Sequence, residues 1–413
     1  MQKALFCVLA ALVGAGLAAA ADDSAGAALE WRAGAAAAMI TPERPLRMAG
    51  YAARKEPAEG AEQDLFAKAL ALQDGEGHRV VILTADLIGI IDRLREDVAR
   101  RVEEQYRLPP HALLMNASHT HCGPAYGRAD AEDYFDQLAD TLVALVGQAL
   151  DRLAPAALSY SHARCGFAMN RRTPTDSGYR NHPNPDGPVD HAVPVLRVDG
   201  ADGALRAVVF GYACHNTTMG FLKWLGDYAG YAQEYFERDH PGATAMFLIG
   251  CGADQNPYPR SQLEYARRHG RSLATAVEAA LEVGQKTTRH QRPLRGPLRT
   301  VLESVDLEYS EADRPHHAYP VQLVRFGNDL CIVALAHEVV VDYSLRLKRE
   351  LAEPGGPAIW VAGYSNVCSG YIPSRRVLRE GGYEASSRPW KPTLEELIVG
   401  KVHALFDRLD SAP

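Results

Sequence analysis

The 413-residue chain has no CxxC pair and no long run of lysine or arginine. The first absence excludes a structural zinc ribbon, which needs paired thiolates at short spacing. The second removes the electrostatic footprint of a nucleic-acid or anionic-membrane surface, and a net charge of −7 points the same way. No repeat of fixed period is present, and past the N-terminus no segment is long or apolar enough to span a bilayer. No linker divides the chain either, so one domain over residues 22–413 is expected.

What is there is ordinary globular material, 47% hydrophobic and 23% charged. The N-terminus differs: Lys3, an apolar stretch from Ala4 to Leu17, then Ala18-Ala19-Ala20-Ala21, a fit to a signal peptidase site. Residues 1–21 read as a cleaved signal peptide, and the protein as exported, periplasmic or secreted. Of seven cysteines, six remain once Cys7 leaves with the signal. Their spacing is compatible with a disulfide near the site and equally with buried free thiols.

Strand-like runs at Phe66–Gln73, Arg79–Ala85, Ala112–Met115, Ala156–Tyr160, Val193–Val198, Leu205–Ala213, Ala245–Ile249, Val321–Phe326, Leu330–Ala336 and Ala358–Tyr364 interleave with helical ones. The helical stretches are Asp92–Tyr106, Glu132–Leu153, Tyr228–Arg238, Ser261–Leu281, Val339–Leu351 and Leu394–Leu409. The interleaving predicts an α/β fold, and adjacent strands with no helix between them predict mixed sheets with flanking helices. Thr173–Pro188, rich in Pro, Gly and Asn, reads as a long loop, disordered or functional.

Two segments carry the chemistry. Ser118-His119-Thr120-His121-Cys122-Gly123-Pro124 follows an apolar run, and on an extended backbone its imidazoles at i and i+2 point to one face. Neutral imidazole is the commonest zinc ligand, and a third donor from another strand would complete a catalytic-type site with one open position. Ala213-Cys214-His215-Asn216-Thr217 also ends a strand, where α/β proteins place ligands. Glu338 ends another, and a carboxylate there needs a partner or a metal. His337-Glu338 is not a zincin HExxH, because Val341 stands where the second histidine belongs. Gly250–Pro257 is either a close backbone approach to a ligand or a plain turn, and Asp227 either a site residue or a helix cap. The sequons at Asn116 and Asn216 overlap the histidine motifs and are discounted.

Taken in order, these motifs resemble the catalytic domain of the neutral/alkaline ceramidase family, zinc amidases that split the N-acyl bond of ceramide. The resemblance runs from about Ala38 to Tyr383 and includes His119-Thr120-His121-x-Gly123-Pro124, Asn170-Arg171, His215, Asp227-x-x-Gly230-Tyr231-Ala232, Glu338, and Ser365-Asn366-Val367 with Tyr371 and Tyr383. It implies that His119, His215, Glu338 and Tyr371 hold Zn2+. The family sets a second active-site tyrosine twelve residues beyond its ligand tyrosine, as Tyr383 stands to Tyr371. His121, Arg171 and Tyr383 would then orient the amide and stabilise the oxyanion, with His121 or Asp254 accepting the proton of the attacking water and Asn116 and Asp227 orienting the ligands. Two departures stand out. The family's serine is missing from Gly252-Ala253-Asp254-Gln255-Asn256-Pro257, and the chain ends too early for the family's C-terminal immunoglobulin-like domain.

The implied activity is zinc-dependent hydrolysis of a carbon-nitrogen amide bond, in ceramide or another N-acyl lipid. Its partners are then a small lipid or amide substrate, reached by transient contact with a membrane surface, with no obligate protein partner. The alternatives are a zinc hydrolase of a different amide or ester, which Gln255 favours, and a catalytically silent exported binding protein.

Overall fold

A computed structural model describes residues 30–286, 292–311 and 315–411. The signal-peptide reading of residues 1–21 lies outside them. The first half runs through β1 (Trp31–Met39), β2 (Phe66–Gln73), β3 (Arg79–Ala85), α1 (Asp92–Tyr106), β4 (Leu113–Ala117), α2 (Glu132–Asp151) and β5 (Ala154–Arg164). Next come β6 (Ala168–Thr175), β7 (Gly178–Asn184), β8 (Ala192–Gly200), β9 (Leu205–Tyr212), α3 (Asp227–Asp239), β10 (Thr244–Ile249), β11 (Gln255–Pro257) and α4 (Leu263–Lys286). The second half holds β12 (Arg292–Pro293), β13 (Leu298–Leu307), β14 (His317–Phe326), β15 (Leu330–Leu335), β16 (Glu338–Val339) and α5 (Val341–Glu350). It closes with β17 (Ala358–Ala362), β18 (Tyr371–Ile372), α6 (Arg375–Glu380), α7 (Tyr383–Ser386) and α8 (Leu394–Ser411).

The larger sheet has the order β10-β9-β8-β5-β1-β2-β3-β4, with β12 on β5, and the smaller is β13-β14-β15-β17. Both are mixed: β3 with β4, β9 with β10 and β15 with β17 run parallel, among antiparallel neighbours. Alternation along β3 shows how they stack. Val80 and Ile82 join Phe326, Ile332 and Trp360 in the core between the sheets, whereas Val81 and Leu83 join Leu94 and Val98 of α1 and Leu142 of α2. α3 and α4 cover β8 to β10, and α5 and α8 cover the outer face of the smaller sheet. The layers are therefore helix, sheet, sheet, helix, with both faces of each sheet buried, in keeping with the α/β expectation.

The larger sheet coils until its edge strands β4 and β10 meet. Asn116 on β4 accepts from the Ile249 N–H on β10 at 3.0 Å and donates to Gly363 O beyond β17 at 2.8 Å. One buried amide thus ties three strand ends at the place where the histidine loops begin. Small residues let α2 lie close on the sheet. β1 is mostly alanine, and a Cβ on its Gly34 would stand 2.3 Å from Ala149 O of α2.

Thr173–Pro188 is not a loop: β6 and β7 form a hairpin that pairs with β11 in a third, three-stranded sheet. β7 is almost wholly exposed, so its ladder is held by backbone hydrogen bonds and leaves no alternating apolar pattern to read. Cys122, Cys165, Cys214, Cys251, Cys331 and Cys368 are all free thiols, which leaves the free-thiol alternative standing among the described residues.

Candidate metal centre

The loops that follow β4, β9, β10, β15 and β17 converge at one end of the two sheets. Thr120 and Asn216 form a parallel bridge, with the His121 N–H donating to Asn216 O at 3.2 Å, so the two histidine motifs lie side by side. The backbone is not extended through the first motif, as the spacing argument assumed. His119 has φ of 61°, in the left-handed region, and this turn rather than strand alternation brings its ring to that of His121, Nε2 to Nε2 at 3.2 Å. His337, Tyr364 and Asn366 also have positive φ in the neighbouring loops. Backbone strain of about 1–3 kcal/mol at each such residue is typical of sites that the surrounding fold holds in place.

His119 and His215 are each fixed through one ring nitrogen. Nδ1 of His119 lies 2.5 Å from Ile88 O and Nδ1 of His215 lies 2.7 Å from Gly252 O. A carbonyl only accepts, so both protons sit on Nδ1 and both Nε2 atoms carry lone pairs. Those lone pairs face one atom: Glu338 Oε2 lies 3.3 Å from His119 Nε2 and 3.4 Å from His215 Nε2. Buried His215 Nε2 and Glu338 Oε2 lack any hydrogen-bond partner among the described residues. Electron-rich atoms gathered in this way repel one another until a cation lies between them, so the donor set fits zinc. Burial carries the His215 imidazole down to about 3, and burial with its imidazole neighbours carries His121 well down too, which keeps both rings neutral.

Nitrogens of His119, His121 and His215 all lie within 4.8 Å of one another. His121 differs from the other two in that its Nδ1 is buried without a partner. Its ring packs edge-on against Tyr51 at 4.9 Å, and a Cβ on Gly50 would come within 2.4 Å of Nδ1.

Tyr371 reaches the cluster by register. β16 and β18 pair in parallel with Glu338 opposite Tyr371, and the buried tyrosine hydroxyl accepts from Arg171 Nη2 at 3.2 Å. Arg171 is itself buried and donates from each of its three nitrogens, also to Glu384 Oε1 at 2.9 Å and Asn256 Oδ1 at 3.3 Å. Its guanidinium sits 5.7 Å from the Tyr371 ring centroid and 5.6 Å from that of Tyr383. Tyr383 is 56% exposed, at the mouth of the site.

Asp254 is fully buried, and its oxygens accept from the Val341 N–H at 2.9 Å, Gln255 Nε2 at 3.0 Å and Asn170 Nδ2 at 3.1 Å. It braces β6, β11 and α5 together. Gln255 donates through Nε2 to Asp254 Oδ1 and Pro188 O, while its buried Oε1 has no partner among the described residues. Asp227 accepts from the N–H groups of Met219 and Tyr228, and Asn216 Oδ1 accepts from Ala229 N at 3.2 Å inside the first turn of α3. The capping role is therefore shared with Asn216. Asn116 and Asn216 are both fully buried, which bears out the discounting of their sequons.

Three residues escaped the motif reading. Glu384 receives Arg171 and, at 2.5 Å, Arg172 Nη1; Tyr364 packs on His119 with ring centroids 4.5 Å apart; and Gly50 makes room for His121. Only Glu384 had a sequence signal, its position beside Tyr383.

A model of the neutral/alkaline non-lysosomal ceramidase N-terminal region matches residues 31–249. Neutral ceramidase A of Dictyostelium discoideum is 26% identical over 225 residues, 50% of this chain and 31% of that protein. Neutral ceramidase of Drosophila melanogaster is 24% identical over 230 residues, 51% of this chain and 32% of that protein. The chain thus spans about a third of the length of these relatives. The crystal structure of neutral ceramidase from Pseudomonas aeruginosa has the same fold, with a TM-score of 0.77 at 20% identity over 92% of this chain and 75% of that one. With more than half of its residues inside the family model, the chain belongs to the neutral/alkaline non-lysosomal ceramidase family.

Proposed function

We propose that the chain is a zinc-dependent amidohydrolase acting on ceramide or another N-acyl lipid. The observation that carries the reading is the convergence of the His119 and His215 Nε2 lone pairs on the Glu338 carboxylate. With Tyr371 as the fourth donor, these residues would hold the ion. Zinc bound there would polarise an amide carbonyl and lower the pKa of a water molecule to about 7. His121, kept neutral by burial and with Nε2 on the cradle side 3.2 Å from His119 Nε2, accepts the proton of the attacking water, a role that Asp254 with its engaged oxygens does not fill. Arg171 holds Tyr371 through one Nη2 N–H and, with the exposed Tyr383, orients the amide. No helix among the described residues is long and apolar enough to cross a membrane; the lipid would be reached by transient contact with a membrane surface. Export rests on the sequence of residues 1–21.

The test is fatty-acid release from a panel of N-acyl lipids, short-chain amides and esters, with zinc restored after chelation. Release from ceramide that chelator abolishes and zinc restores is expected. Hydrolysis of the short-chain substrates alone would select the second reading, a zinc hydrolase of different substrate, which Gln255 favours. Zinc binding with no turnover of any substrate would sink both.

The division between ligands and proton acceptor has its own test. Gly50→Ala would drive a methyl into the His121 ring at a residue with φ of 97°. Because misplacement of a reacting group by about 1 Å costs around 10²-fold in rate, kcat should fall by that order with zinc affinity unchanged. Weakened zinc binding in this variant would make His121 a ligand instead.

A further inference from the structure

Tyr364 is fully buried, yet its hydroxyl has no hydrogen-bond partner among the described residues. It leaves β17 with φ of 51°, held by its N–H to His337 O at 2.9 Å, beside the loop that carries Glu338. The ring lies 4.5 Å from that of His119, tilted by 42°, and 6.2 Å from that of His215, edge-on at 88°. Its ring thus lies against both imidazoles whose Nε2 atoms face Glu338 Oε2. A phenylalanine would fill the same volume without burying an unpaired hydroxyl, which loses its hydration and gains nothing in return. Such an unmet donor beside a ligand cradle has its partner in what enters the cradle.

We propose that Tyr364 is a catalytic hydrogen-bond donor, its phenol O–H directed at an oxygen of the bound amide between His119, His215 and Glu338. The assignment rests on the amidohydrolase reading and adds a donor that no motif marked. Tyr364 keeps its proton throughout and neither forms nor breaks a bond.

Tyr364→Phe removes one oxygen atom and tests this. Thermal midpoint should equal or exceed that of the wild type and one zinc per chain should be retained. In the zinc-loaded protein, kcat for fatty-acid release should fall about 10²-fold, the loss seen when an oxyanion donor is removed. Affinity for acetohydroxamate, whose oxygen can accept the same hydrogen bond, should fall roughly tenfold. The hydroxamate titration separates two failures. If wild type cleaves no N-acyl lipid but binds hydroxamate more tightly than Tyr364→Phe, the substrate reading falls and the donor stands. Equal hydroxamate affinity with unchanged kcat overturns the donor, and loss of zinc from the variant overturns it too, by making Tyr364 a ligand.

Discussion

Replacing His215 with alanine is expected to empty the site of zinc and to lower amide hydrolysis by at least about 10³-fold, beyond the about 10–100-fold that follows loss of an outer-shell partner. His215 is fully buried and oriented by Gly252 O, with Nε2 3.4 Å from Glu338 Oε2. Alanine removes one donor and opens a cavity where the buried ring lay, while Gly252 O keeps the Gln255 N–H at 3.0 Å. Two effects should therefore appear together: elemental analysis should find less than a tenth of an equivalent of zinc, and the urea midpoint should drop modestly. Zinc retained at one equivalent would show that the ion sits elsewhere and would refute the donor set. His215→Gln discriminates further, since its amide can still reach Gly252 O and should recover stability without recovering zinc.

Legibility in the sequence followed the physics of each element. Strands buried on both faces, such as β3 and β15, read as apolar runs, and α1 was bounded by sequence alone because its buried positions repeat at helical spacing. β1 left no such mark. Its alanines carry little strand preference, and its Gly34 answers to the approach of α2, a tertiary requirement. The β6–β7 hairpin was hidden for the opposite reason, since exposure leaves its side chains unconstrained. At the site, residue types at strand ends pointed to His119, His215 and Glu338, whose lone pairs the fold brings together. The left-handed turn at His119, the room made by Gly50 and the unpaired Tyr364 hydroxyl depend on contacts between distant loops, and no local pattern encodes them.

The second large effect is expected from Glu384, the neighbour of Tyr383 in sequence. Its carboxylate accepts from Arg171 Nε at 2.9 Å and Arg172 Nη1 at 2.5 Å, with all three side chains at most 5% exposed. Burial alone would raise its pKa, but the two guanidinium groups outweigh that and lower it, Arg171 foremost. Arg172 has a second carboxylate in Glu380 at 3.1 Å, whereas the remaining partners of Arg171, Asn256 and Tyr371, offer a neutral amide and a phenol. Glu384→Ala therefore strands the Arg171 charge in the interior. Breaking a buried pair by removing one partner costs about 3–5 kcal/mol, a large share of the roughly 5–15 kcal/mol that holds a domain together. The urea midpoint should fall accordingly, and Tyr371 should lose its fixed place even in protein that remains folded. Glu384→Gln keeps the shape and one acceptor but turns an N–H2 toward the other arginine, so its stability should lie between wild type and alanine. If the glutamine variant proves as stable and as active as wild type, the negative charge is dispensable and Arg171 is held by hydrogen-bond geometry alone.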